Sequence, residues 1–232
     1  MPRKASGALR AGSGSSGGLY PTGGTPMKEE AVMFDAGGIR LEGRMAPGTG
    51  RGAAVVSHPH PQMGGSMDNN VVEAVCEGFR RFGFSTLRFN FRGTGRSEGR
   101  YDGGRGEQDD LRAAVDFLAG RTSAPVLLGG YSFGAWVTAN LYAREPFPCR
   151  LLLVSPPIDL LETPFEPLAD GLIGVICGDR DAFCDIQELT KRLGRINLAP
   201  HVLAGADHFY VGREEALVIT IETILNAFLK NA

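Results

Sequence analysis

Val126-Leu127-Leu128-Gly129-Gly130-Tyr131-Ser132-Phe133-Gly134-Ala135 is a short apolar run that ends in Gly130-x-Ser132-x-Gly134 and leads into a helical pattern. A chain that passes from strand to helix in so few residues must turn sharply. The serine then sits at the apex in a strained backbone conformation, with its hydroxyl lifted above the sheet edge. The flanking glycines follow from the same geometry, because side chains there would meet the neighbouring strand and helix. The motif is short, and its weight depends on how the rest of the chain lays out around it.

Upstream, residues 30 to 35 and 39 to 45 read as two strands joined by Asp35-Ala36-Gly37-Gly38, a hairpin turn signal. Residues 53 to 57 are apolar without alternation, as in a strand covered on both faces. After the loop from His58 to Ser66 comes a helix. Asp68 or Asn69 is its cap, Val71, Val72, Val75, Phe79 and Phe82 form its buried stripe, and Gly83 ends it. A strand over 84 to 91 runs into a glycine-rich loop, and residues 107 to 119 form the next helix. Downstream of the serine, a helix over 133 to 142 is followed by a strand over 151 to 154. A proline-rich irregular segment, 156 to 170, comes next. Then follow a strand over 172 to 177, a helix over 185 to 194, a strand over 199 to 203 and a last helix over 212 to 229. Strands alternating with helices imply an α/β domain with a mainly parallel sheet and helices on both faces.

A serine hydroxyl is a weak nucleophile at neutral pH. It needs a base for its proton, an acid to hold that base and donors for the oxyanion. Two later strand ends supply candidates: Gly178-Asp179-Arg180-Asp181, and Gly205-Ala206-Asp207-His208-Phe209. In a parallel sheet all the carboxyl ends lie along one edge, so Ser132, the Asp179–Asp181 loop and His208 share that edge. Of the four histidines, His201 falls within a strand, His58 and His60 lie in the loop after residue 57, and His208 lies in the polar loop at a later strand end. Asp207 reads as a loop-capping carboxylate and Asp185 as the cap of the following helix. The amide of Phe133, the residue after the nucleophile, is one oxyanion donor. The other comes from the loop after residue 57.

The order Ser, Asp, His, the Arg92-Gly93-Thr94-Gly95-Arg96-Ser97 loop, the Gly178-x-x-Asp181 ending and the Gly205-x-Asp207-His208-Phe209 ending resemble the α/β-hydrolases over residues 30 to 230. His58-Pro59-His60-Pro61 with Gly64-Gly65 and Met67-Asp68-Asn69 resembles a small, nearly capless bacterial branch, dienelactone-hydrolase-like but with serine where those enzymes carry cysteine. The resemblance implies the α/β-hydrolase fold, with about eight strands. It also implies a Ser132, Asp181, His208 triad, with Asp181 chosen over Asp179 as the last residue of its motif. By the same resemblance His60 is the second oxyanion donor and Gln62 the fallback; Pro59 and Pro61 have no N–H to give. Met63, Phe183 and Phe209 are candidate linings of an acyl site, and Trp136 reads as core.

The activity so implied is that of a serine hydrolase, carboxylesterase-like. It is expected to act on esters through an acyl-enzyme, with no cofactor implied, and because the segment 156 to 170 is too short for a large lid, an open site favouring small or short-acyl substrates is expected. A thioesterase, peptidase or acyltransferase on the same triad is the nearer alternative, and a non-catalytic binding protein of the same fold the more distant one. His58 and His60, two apart without a third clustered ligand, make a weak metal signal and read as structural. The loop 93 to 99 misses a dinucleotide fingerprint by one residue and has no P-loop lysine, so it reads as structural too. Arg92 and Arg96 read as buried ion-pair partners, ahead of the alternative that they face the pocket.

Composition narrows the rest. The chain has 232 residues, formal net charge -2 and 43% hydrophobic residues, which suits one domain and offers no basic surface for nucleic acid. No apolar run is long enough to span a bilayer. Cys76, Cys149, Cys177 and Cys184 are scattered without a CxxC pair, as expected of isolated thiols in a reducing, cytoplasmic setting. A homodimer through an edge strand or the last helix is compatible with the pattern. Residues 1 to 26, rich in Gly and Ser and without an acidic residue, read as a disordered or vector-derived leader ahead of a hydrolase domain over 27 to 232.

Overall fold

In the computed structural model, which describes residues 28–231, the hairpin signal at Asp35-Ala36-Gly37-Gly38 joins β1 (Glu30–Asp35) to an antiparallel β2 (Arg40–Ala46). The Asp35 carboxylate accepts from the amides of Gly37 and Gly38, and both glycines have positive φ, so the turn needs them. The leader assigned to residues 1 to 26 lies outside the described residues.

The remaining strands are β3 (Gly52–Ser57), β4 (Phe84–Phe89), β5 (Val126–Tyr131), β6 (Arg150–Val154), β7 (Leu172–Gly178) and β8 (His201–Leu203). Between them run α1 (Asn70–Arg81), α2 (Arg105–Ala119), α3 (Phe133–Arg144), α4 (Ile186–Gly194) and α5 (Glu214–Asn231). The sheet order is β1-β2-β4-β3-β5-β6-β7-β8, with β2 antiparallel to both neighbours and β3 to β8 parallel.

Each helix packs its apolar stripe on one face of this sheet. Val71, Val72, Val75, Phe79 and Phe82 from the α1 region meet Leu217, Ile221 and Leu225 of α5 on one side. Leu111, Val115 and Leu118 of α2, with Val137 and Leu141 of α3 and Leu189 of α4, cover the other. Strands with helices on both faces have no wet side, which is why β3 and β5 are buried at every position. Asn69, the second of the two cap candidates, caps α1 by accepting from the Val71 amide.

Element ends differ from the sequence expectation where other partners claim the backbone. The strand expected over 84 to 91 stops at Phe89, because the Asn90 amide donates to Glu42 O and the Phe91 amide to His58 Nε2. The strand expected over 199 to 203 shortens to His201–Leu203, after Pro200, which has no N–H for the ladder. The segment 156 to 170 is irregular apart from one 3₁₀ turn, Glu166–Leu168. It is packed down through Ile158, Phe165 and Leu168.

The connection from β3 goes to β4 on one side, and that from β5 to β6 on the other. The chain thus switches direction between β3 and β5, and a crevice opens beyond their carboxyl ends. The loops that begin at His58 and Ser132 face each other there.

Candidate active site

Ser132 occupies the turn between β5 and α3 at φ 54°, ψ −121°, a left-handed conformation that costs a non-glycine residue on the order of 1–3 kcal/mol. The fold holds it there. Its amide donates to Val154 O at 2.9 Å, tying the turn to β6. A Cβ on Gly130 would lie 2.6 Å from Gly134 O, and one on Gly134 2.5 Å from Ser57 O, so neither position admits a side chain. Gly134→Ala is therefore expected to lower stability by about 2 kcal/mol or more, read from the urea midpoint, since rigid backbone stands in the way. A midpoint within error of the parent chain would refute this packing.

The three sequence candidates come together. Ser132 Oγ lies 2.9 Å from His208 Nε2, and His208 Nδ1 lies 2.9 Å from both Oδ1 and Oδ2 of Asp181. A carboxylate only accepts, so Nδ1 carries the proton and Nε2 is left to accept from the serine hydroxyl. Ser132 and His208 are 8% and 6% exposed, and the Asp181 side chain is fully buried. Burial pushes the Asp181 carboxyl up. The hydrogen bond from His208, together with that from the Phe183 amide, outweighs it and holds the group below the ordinary carboxylate range. Such a row can deprotonate the serine and stabilise the imidazolium that results.

Neighbouring carboxylates accept from backbone amides, Asp207 and Asp185 in the capping roles expected of them. Asp179 accepts from the Gly205 amide at 2.7 Å and so staples the acid loop to the histidine loop. Asp207 accepts from the amides of Phe209 and Tyr210, and Asp185 caps α4 by accepting from the Glu188 amide. Tyr131, whose place in the motif had no sequence explanation, is buried and donates its hydroxyl to His208 O at 2.8 Å. It anchors the histidine loop directly to the turn that carries the serine.

The amide of Phe133 opens α3, where the first N–H groups have no partner inside the helix. Among the described residues neither it nor the His60 amide has a protein acceptor, whereas the Gln62 amide donates to His60 Nδ1 at 3.2 Å. That bond leaves the proton of the neutral His60 ring on Nε2, which faces Tyr101 Oη at 3.0 Å. Phe183 and Phe209 flank the His208 ring edge-on, with centroids 4.8 and 5.7 Å away. Met63 stands 78% exposed on the 3₁₀ turn Pro61–Met63. Trp136 is half-buried, stacks on Phe133 at 5.6 Å and donates to Glu162 O.

His58 is structural. Its Nδ1 donates to Pro59 O at 2.6 Å and its Nε2 accepts from the Phe91 amide at 3.0 Å, so both ring nitrogens are engaged. Among the described residues no cluster of His, Cys, Asp and Glu is arranged to hold a metal ion. Burial pushes His58 down from 6.5 to about 4, so the unfolded chain binds this proton more readily than the folded one. The associated stability is complete above 6.5, is lost as pH falls through the window down to about 4, and amounts to on the order of 3 kcal/mol. Urea midpoints measured across that window should show a slope that His58→Gln removes; equal slopes would count against this assignment.

The loop 93 to 99 is a folded turn built on Glu42 and Asn90. Glu42 accepts from the Asn90 side chain and the Arg96 amide, and Ser97 Oγ donates to Asn90 O. Arg92 pairs with the buried Asp110 at 2.8 Å, as expected. Arg96 does not: its side chain is exposed, because the loop uses its backbone instead. Sequence reasoning passed over Ser155, Tyr210 and Tyr101, which carry no motif of their own.

Residues 63–178 match the family described as "Serine aminopeptidase, S33", a span that contains Ser132 and ends before Asp181 and His208. A protein of Rickettsia prowazekii described as uncharacterized is 34% identical over 86% of this chain and 90% of its own length. Solved structures agree. A putative alpha/beta hydrolase from Agrobacterium tumefaciens is 34% identical with TM-score 0.76, covering 88% of this chain and 97% of its own. A protein of Xanthomonas campestris, described as an a/b serine hydrolase without lid, is 29% identical with TM-score 0.76, covering 88% and 96%. An alpha-beta serine hydrolase homologue from Coxiella burnetii is 29% identical with TM-score 0.74, covering 86% and 99%.

Proposed function

We propose, from the premise that this chain belongs to the α/β serine hydrolases, that it cleaves small carboxylic esters through a Ser132–His208–Asp181 triad. The observation that carries this reading is the unbroken row of 2.9 Å contacts from Ser132 Oγ through His208 to Asp181.

In this reading Ser132 Oγ attacks the ester carbonyl carbon while its proton passes to His208 Nε2. The amides of Phe133 and His60 receive the oxyanion. The tetrahedral intermediate collapses, the C–O bond to the alcohol breaks, and the alcohol leaves with the proton from Nε2. Water, deprotonated by His208, then attacks the acyl-enzyme and releases the acid with Ser132 restored. Asp181 stays ionised throughout and fixes the imidazole's orientation. Phe183 and Phe209 are the proposed walls of the acyl side, with Met63 at its rim.

Two features support small or short-acyl substrates. The segment 156 to 170 is packed onto the domain by Ile158, Phe165 and Leu168 and so does not form a lid over the site among the described residues. The similar Xanthomonas campestris protein is described as without a lid. Cytoplasmic residence is part of the proposal. It is supported by four free, buried cysteines and by the fact that no helix among the described residues is long and apolar enough to cross a membrane. The substrate is proposed to be a small molecule, with no nucleic-acid or membrane partner.

Across p-nitrophenyl acetate, butyrate, octanoate and laurate, kcat/KM is expected to fall as the acyl chain lengthens. A fluorophosphonate probe should label the wild type and not Ser132→Ala. A rising series would exclude the short-acyl assignment, and a folded, unlabelled wild type would falsify the enzyme reading. The family description favours one second reading, an aminopeptidase on the same triad. Aminoacyl p-nitroanilides tested beside the esters separate the two.

A further inference from the structure

Tyr101 reaches the loop after β3 from a different part of the chain. It lies between β4 and α2, and the segment that carries it is tied down at the helix entry. The fully buried Glu107 carboxylate accepts from the amides of Asp102 at 2.9 Å and Gly104 at 2.7 Å. The Asp102 carboxylate in turn accepts from the Gly106 amide at 3.1 Å. Burying a carboxylate is costly unless its oxygens are hydrogen-bonded, so Glu107 holds this segment firmly.

From that position the Tyr101 hydroxyl lies 3.0 Å from His60 Nε2. With Nδ1 accepting from the Gln62 amide, the ring proton is on Nε2 and Tyr101 Oη is its acceptor. The Gln62 bond is local, two residues along the same loop, and moves with it. The Tyr101 bond spans 41 residues and ties the loop to the entry of α2. The His60 ring lies 5.0 Å from that of Tyr101 and 4.8 Å from that of Phe133, and the Tyr101 and Phe133 rings are 5.9 Å apart, centroid to centroid. Two of these three rings belong to the residues whose amides are the proposed oxyanion donors.

Holding the His60 ring bears on its amide through the Pro59–His60 peptide, which is planar and trans. Pro59 O accepts from His58 Nδ1 at 2.6 Å, so the His60 N–H is directed to the opposite side of that plane. One hydrogen bond leaves the plane free to rock about it. A side chain fixed at both ring nitrogens and packed on Phe133 removes that freedom at the His60 Cα. The backbones of the two donor segments already meet close by: a Cβ on Gly134 would lie 2.7 Å from His58 O.

We propose that Tyr101 is a positioning residue of the oxyanion hole: it holds the His60 ring against Phe133 and thereby fixes the spacing of the two amides that receive the developing charge. This deepens the esterase reading above and rests on it, with His60 as second donor. Oxyanion donors act through preorganisation, so a small misplacement is felt at the transition state and not in substrate binding.

The test is hydrolysis of p-nitrophenyl acetate, and its inhibition by trifluoroacetone, for wild type, Tyr101→Phe, His60→Ala and the double variant. Ser132 Oγ adds to the carbonyl carbon of trifluoroacetone, its proton passing to His208, and the hemiketal oxygen so formed occupies the place of the oxyanion. Tyr101→Phe keeps the ring and removes the acceptor. It is expected to lower kcat about tenfold with KM within about twofold, and to weaken trifluoroacetone by about the same factor. The acid limb of the pH profile should stay in place, because His208 and Asp181 are untouched. His60→Ala keeps the amide and loses the ring, so it should cost at least as much. The double variant should match His60→Ala, because the Tyr101 hydroxyl acts only through His60. A Tyr101→Phe protein with the kcat and trifluoroacetone affinity of the wild type overturns the assignment, whatever its thermal midpoint. A raised KM with kcat unchanged overturns it too, since Tyr101 would then be a substrate contact. If the wild type itself resists a fluorophosphonate probe, the esterase reading falls and this role with it. A labelled wild type with an unaffected Tyr101→Phe removes this role alone.

Discussion

Ser132→Ala is expected to lower kcat on p-nitrophenyl acetate by about 10⁵-fold or more, with KM little changed and the fold intact. The contacts that define the site explain the size. In the proposed mechanism the hydroxyl forms the new bond to the substrate, and its proton passes to His208 Nε2, 2.9 Å away. His208→Ala should cost about as much, and the double variant no more than either single one, because nucleophile and base act as a unit. Additive losses would mean that the two residues serve different steps. Ser132→Gly should be equally inactive yet more stable than Ser132→Ala by about 1 kcal/mol in urea unfolding, since glycine accepts φ 54° and alanine does not. Equal stability of the two would indicate that the turn is unstrained.

Asp181→Asn is expected to lower kcat about 10⁴-fold while leaving the thermal midpoint close to the parent's. The carboxylate accepts Nδ1–H with both oxygens and so keeps Nε2 unprotonated toward Ser132. An amide in the same place no longer dictates that tautomer. The contrast is Asp179, two residues earlier in the same loop. Its carboxylate accepts from the Gly205 amide and does not meet the imidazole. Asp179→Ala should cost about 1 kcal/mol of stability and keep kcat within about threefold. If Asp179→Ala proved as damaging to kcat as Asp181→Asn, the acid would have to be reassigned.

The pair Asp179 and Asp181 shows where sequence reading is strong and where it thins. Local patterns announce where a strand ends and that a polar loop follows, and both aspartates satisfy that pattern equally. The motif resemblance chose Asp181. What separates the two chemically is which carboxylate faces His208 Nδ1, a distance between loops after β7 and β8. Arg92 and Arg96 make the same point with an uneven result: one pairs with Asp110, the other is exposed, and loop spacing does not distinguish them. The end of β4 moved for a similar reason, since the Phe91 amide is claimed by His58, 33 residues away in sequence.

By itself the sequence determined the alternation of strands and helices, the glycine-flanked turn at Ser132, and the presence of an aspartate and a histidine at later strand ends. These are local properties: periodic burial, turn chemistry and the steric need for glycine each act over a few residues. Tertiary structure alone decided the hydrogen-bond direction through His208, the tether from Tyr131 to the histidine loop, and the pairing of Ser155 with Tyr210. Those depend on side chains from four different strand ends meeting within about 3 Å, the reach of a hydrogen bond. A single serine after β6 or a tyrosine after β8 has no signature of its own. Its role exists only once the parallel sheet has brought the carboxyl ends of its strands side by side.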